Sequence, residues 1–225
     1  LLGFAVGVYG LSQAILQIPF SLWADRFSRK PLVVIGLLLF ALGGAIAAMS
    51  HTIYGVILGR AIAGAGAVSA VVMALLADVT REENRTKAMA AMGMSIGLSF
   101  VVAFSLGPWL THLVGISGLF WVTTIMGLAA IVMLLLVPKT TRHHRNFQHG
   151  YLKQLKHVLK MPDLNRLHFS IFSLHLLLTA MFIYVPSQLI RYADIPLEKH
   201  GLVYLPLLLI GVICSFPSII VAEKY

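Results

Sequence analysis

The sequence predicts an all-α polytopic membrane protein, and composition, run length and charge placement carry that prediction. Of 225 residues, 59% are hydrophobic and only 11% are charged. A soluble domain of this length carries about 25% charged residues. One aqueous core cannot hide that deficit, so the chain expects lipid as its solvent. Apolar runs of about 20 residues, the length that crosses hydrocarbon at about 1.5 Å per residue, recur seven times. They are too long for barrel strands and do not alternate.

In order, the expected spans are residues 1–23, 31–50, 52–77, 86–110, 116–137, 167–190 and 201–222. The connections alternate in charge. Arg26, Arg29 and Lys30 fill the first; Arg81, Arg85 and Lys87 fill the third. Lys139, Arg142, Arg145, Lys153, Lys156, Lys160 and Arg166 fill the fifth, which puts 13 of the 17 Lys and Arg residues on one side. The opposite turns are uncharged at 50–52 and 111–118, and the last holds Arg191 and Lys199 against Asp194 and Glu198. The positive-inside rule makes the basic side cytoplasmic. The first span then runs inward, so an odd number of earlier helices, most simply one, is expected before Leu1, and the chain reads as an internal piece of a longer protein.

Helix ends fit this order. Pro31 stands where a first helical turn tolerates proline. Thr80 and Glu83 have capping-box spacing for the fourth span. Pro108, Pro206 and Pro217 predict local bends. In the stretch 139–166, Tyr151, Leu152, Leu155, Val158 and Leu159 recur at helical spacing, with Lys153, Lys156 and Lys160 on other faces. That pattern suits an amphipathic helix on the cytoplasmic membrane surface. It divides five spans from two, giving a first bundle at 1–137, a linker at 138–166 and the start of a second bundle at 167–225.

A formal net charge of +9 would suggest nucleic acid in a soluble protein. Here the cations sit in short turns between apolar runs, so no nucleic-acid partner is expected. Cys214 is the single cysteine, which excludes an internal disulfide framework and a cysteine-based metal site. No metal or cofactor is expected, and no glycine-rich Lys-Ser or Lys-Thr loop for a nucleotide occurs.

The most informative segment is Ser21-Leu22-Trp23-Ala24-Asp25-Arg26-Phe27-Ser28-Arg29-Lys30-Pro31. Membrane topology asks for cations in a turn, not for an acid and a fixed order. The stretch resembles the major facilitator signature G-x-x-x-D-R-x-G-R-K between transmembrane helices two and three, matched by Asp25, Arg26, Arg29 and Lys30. Ser21 and Ser28 replace its two glycines, and a left-handed backbone at position 28 would cost more for Ser than for Gly. Such a turn can act as a conformational latch. Asp25 can accept from backbone donors at a helix start, and Arg29 can bridge to an acid on a neighbouring helix end, for which Asp78 is the candidate.

Arg60 is the only formal charge deep in a span, where it costs roughly 2.5–3.5 kcal/mol if central. With Gly64 and Gly66 it resembles the fourth-helix signature R-x-x-x-G-x-G, which implies a part in proton transfer and cavity polarity. Gly93 and Gly97 have the spacing of close helix approach. With Gly107-Pro108 they resemble the fifth-helix signature of drug–proton antiporters, although Trp109-Leu110-Thr111 departs from its small-residue ending. Gln13 and Gln17 share a face of the first span, with Tyr9 a turn before, and can line a cavity or bond between helices. His168 and His175 lie on the sixth span, and His175, the deeper, can titrate near neutral pH or bond between helices. No Asp or Glu lies centrally in any span.

The resemblance covers nearly the whole chain and is strongest, at 78–90, to a bacterial type of putative efflux transporter. It implies that the spans are helices 2–8 of a twelve-helix major facilitator fold. It also implies a secondary active transporter, proton-coupled and exporting small molecules by alternating access, whose partners are a small-molecule substrate, protons and the lipid bilayer. A functional monomer in the bacterial inner membrane is expected, and no enzyme. The alternatives are a proton- or cation-coupled importer and a seven-helix receptor or sensor.

Overall fold

The computed structural model describes residues 1–26, 28–66, 68–137, 158–196, 199–207 and 210, with the side chains of Leu2, Asp25 and Arg26 outside that description. Among the described residues the regular structure is entirely helical: α1 (Leu2–Arg26), α2 (Arg29–Met49), α3 (Ile53–Ala65), α4 (Ser69–Val79), a short 3-10 turn (Glu82–Asn84), α5 (Arg85–Leu136) and α6 (Pro162–Ala193). Among the described residues five stretches are long and apolar enough to cross a bilayer: Gly3–Ala24, Arg29–Met49, Ile53–Val79, Glu82–Leu136 and Pro162–Ala193. The expected seventh, 201–222, is described only at 201–207 and 210, and the amphipathic linker helix lies mostly outside the described residues.

At 52 residues α5 would measure about 80 Å if straight, against a hydrocarbon core of about 30 Å. It is not straight. Gly115 leaves helical geometry at φ 70°, ψ −179°, a conformation that side chains with a Cβ rarely adopt. The expected fourth and fifth spans lie on its two sides. The bend falls at Gly115 rather than at Pro108, which stays inside the helix. The second half of α5 runs back along α2. A Cβ built on Gly44 would meet Thr124 Oγ1 at 2.6 Å, and one on Gly127 would meet the Phe40 ring at 3.1 Å. At the end, Lys30 Nζ donates to the Val137 carbonyl.

The expected third span, 52–77, matches the stretch Ile53–Val79; within it the backbone departs from helical geometry at Gly66 (φ −78°, ψ 6°) and Val68 (φ −111°, ψ 18°), between α3 and α4. Gly66 lies so close to α2 that a Cβ would fall 2.5 Å from the Phe40 nitrogen. One expectation is corrected: the capping box does not form. Thr80 Oγ1 donates back to the Leu76 carbonyl at 2.7 Å, the 3-10 turn intervenes, and α5 starts at Arg85 with no side-chain cap. A hydroxyl in the last turn of one helix satisfies that turn's carbonyl in preference to reaching forward.

Packing divides the chain into two units, Leu1–Arg142 with Gly201–Tyr225, and His143–His200. In the first, α2 lies against α3, the second half of α5 and α4, while α3 also holds α1. Phe20, Ala24, Leu32, Val33, Val68, Val71, Leu75 and Leu134 form its core. Glycines let the backbones touch: a Cβ on Gly59 would fall 2.6 Å from both Ala47 N and Gly43 O, the close approach that drives helix association where no aqueous hydrophobic effect operates. The described part of the second unit is chiefly α6, which buries no residue. Outward faces carry bare Leu, Ile, Phe and Met, among them Met126 at 66%, Leu135 at 68% and Phe169 at 69% exposed. Water would penalise such faces; lipid does not.

Candidate functional site

Two clusters bring the sequence-predicted residues together. The first is at the basic end, where α1, α2, α4 and α5 meet. Ser28 precedes α2 in extended geometry, φ −61° and ψ 132°, so position 28 asks for no left-handed residue and serine stands in for the signature glycine there without strain. Ser21 turns its hydroxyl to the Gln17 carbonyl at 2.8 Å. The first turn of α2 then aims two cations at two other helices. Arg29 meets the Asp78 carboxylate at 2.7 Å and donates to the Ala74 carbonyl, one turn earlier on α4. Lys30 takes the Val137 carbonyl at the end of α5. Two adjacent residues thus tie the ends of two helices, where the helix dipole favours cations. Asp25 and Arg26 are the last residues of α1; the roles expected of their side chains lie outside the described residues.

The second cluster is one cation inside the bundle. Arg60 is eight residues beyond the Thr52 cap of α3, about 12 Å along the helix. It does not reach back toward that end. Its Nε donates to the Ala5 carbonyl of α1 at 3.4 Å, and its guanidinium carbon stands 4.6 Å from the centroid of the Tyr9 ring. Gly64, one turn on, faces the same residue: a Cβ there would fall 3.0 Å from Tyr9 Cα. Arg60 also borders a small cavity of about 60 Å³, lined among others by Phe40, Gly43, Gly59, Phe120 and Thr123, large enough for water.

The remaining candidates are not drawn into either cluster. Gln13 and Gln17 are half-buried on α1 below Tyr9. His175 is exposed on α6 and pairs through Nδ1 with the Ile171 carbonyl of its own helix at 2.9 Å. Beyond the surrounding turns of its own helix, nothing among the described residues lies within 4 Å of a Cβ built on Gly93, Gly97 or Gly107, and Pro108 is half-buried. Residues that sequence reasoning passed over include Thr124, which bridges α5 to the Ala41 carbonyl of α2 at 3.3 Å, and Gly43 and Gly59. A glycine pair in each of two adjacent apolar spans was the available signal. Among the described residues no group of His, Cys, Asp and Glu could hold a metal ion.

Apolar rods closed around one interior cation and tied at one end by ordered charges define a multi-pass helical membrane protein. The chain belongs to the Major Facilitator Superfamily, whose sequence model matches residues 1–225. It is 48% identical over 225 residues to the inner membrane transport protein YajR of Escherichia coli, covering 99% of this chain and 49% of that protein. It is 38% identical over 220 residues to an uncharacterized transporter of Buchnera aphidicola, covering 96% and 56%. It is 32% identical over 145 residues to the class E tetracycline resistance protein of Escherichia coli, covering 64% and 35%. The chain spans about half the length of the curated relatives it matches most fully. It is a multi-pass protein of the bacterial inner membrane, from a transporter family with efflux-type members. A seven-helix receptor finds no support in these relatives.

Proposed function

We infer that the chain is part of a secondary active transporter that exports small molecules against proton entry, its bundles rocking about a midplane cavity. In this reading the spans are helices 2–8 of twelve, 138–166 links the two bundles, and the transporter works as a monomer. The ion pair between Arg29 and Asp78 at the basic end carries the reading. It joins the start of α2 to the end of α4, where a cytoplasmic gate must open and close. Its side chains are 21% and 37% exposed, and a pair in that setting is worth about 1 kcal/mol or less. Such a pair biases a two-state equilibrium by about fivefold, enough for a latch and weak enough to break each cycle.

Arg60 supplies the interior charge of the cavity, with Gln13, Gln17 and His175 as further polar lining. Gly93, Gly97, Gly107 and Pro108 offer a face for close helix approach. The efflux-type relatives support export. Tetracycline and ethidium accumulation, driven by an imposed proton gradient, tests direction in everted vesicles and in intact cells. Accumulation in everted vesicles alone fits export; accumulation in intact cells alone makes the protein a proton- or cation-coupled importer.

A further inference from the structure

The spacing of Arg60 and Gly64 has a use that their chemistry alone does not explain. Four residues apart on α3, they share one helix face, and both address Tyr9 of α1. Arg60 places its guanidinium over the ring at 4.6 Å, inside the about 6 Å range of a cation–π contact. Gly64 admits the Tyr9 backbone where any Cβ would collide. The Arg60 Nε bond to the Ala5 carbonyl, one turn earlier on α1, completes a seat with three attachments. Arg60 also lines the cavity of about 60 Å³ between α2, α3 and α5.

We propose that Tyr9 is a positioning residue that holds the Arg60 guanidinium on the α1 side of the bundle, above Gln13 and Gln17. The aromatic face supplies the hold, since an exposed ammonium or guanidinium is attracted by the ring quadrupole, and the phenol hydroxyl is dispensable. The proposal rests on Arg60 acting in transport as set out above. It adds the residue that fixes where Arg60 acts.

Two cycles test it in the full-length protein. In everted vesicles, with tetracycline and ethidium as probes, Tyr9→Leu lowers the initial rate about fivefold or more, while Tyr9→Phe and Tyr9→Trp restore it to within about twofold. In an Arg60→Ala background Tyr9→Leu has no further effect. An equal loss in both backgrounds, or a wild-type rate for Tyr9→Leu, overturns the proposal. The second cycle measures thermal unfolding of the purified protein. Tyr9→Leu lowers Tm more beside Arg60 than beside Met at position 60 (Arg60→Met), and additive shifts would overturn the contact. If the wild-type protein moves neither probe, the export reading fails, and the unfolding cycle alone decides the seat.

Discussion

Arg29 and Lys30 are adjacent in sequence, yet they serve different helices. Arg29 uses a carboxylate and a carbonyl on α4, whereas Lys30 uses a carbonyl at the end of α5. If Arg29 and Asp78 act as one unit, Arg29→Gln and Asp78→Asn each lower the transport rate by about fivefold, and the double variant is no worse than either single one. Initial-rate measurements on the three variants check this. Asp25→Asn cripples transport while leaving membrane insertion intact, read from initial rates and from the amount of protein in the membrane fraction. Arg60→Ala impairs proton coupling or substrate affinity, because it removes the one deep cation. Unaltered kinetics would leave Arg60 a packing residue. The meeting of Arg29 with Asp78 was legible because an acid ends a span beside a cationic turn. The acceptor of Lys30 was not, since a backbone carbonyl 107 positions away has no sequence signal.

Elements follow from run length and glycine placement more than from caps. The ends of α5 could be anticipated from an apolar stretch too long for one crossing. Its reversal falls at Gly115, inside the uncharged 111–118 turn expected between the fourth and fifth spans; what the sequence did not single out is the residue within that turn that adopts the positive φ. The capping box failed for a local reason: the threonine hydroxyl could donate to a carbonyl behind it or accept from an N–H ahead of it, and spacing does not rank the two. The interlock of α2 and α3 depends on register, which no single span encodes. It predicts that Gly59→Ala destabilises the bundle by about 1–3 kcal/mol through overpacking, because its Cβ would press on Ala47 and Gly43. Thermal unfolding of the purified variant in detergent measures the loss. An unchanged midpoint would mean that α2 and α3 can part at no cost.

At the scale of the whole molecule, one physical fact organises the first unit: its helices expose apolar side chains and tie Arg29 and Lys30 to helix ends. Lys30 beside Val137 and Arg29 beside Asp78 put three chain segments at one end, so the rods between them cross and return. The class of fold was readable because lipid imposes length and charge asymmetry on any crossing helix. Substrate selection was not, because a cavity is assembled from several helices and leaves no contiguous motif. The direct measurement is the side of the membrane on which each turn lies. With Cys214→Ser as background, single cysteines at Ser28, Asn84, His51 and Ser117 are labelled with an impermeant maleimide in intact spheroplasts and in everted vesicles. The account predicts that Ser28→Cys and Asn84→Cys react only in everted vesicles, and His51→Cys and Ser117→Cys only in spheroplasts. Labelling of positions 28 and 84 from opposite faces would contradict it.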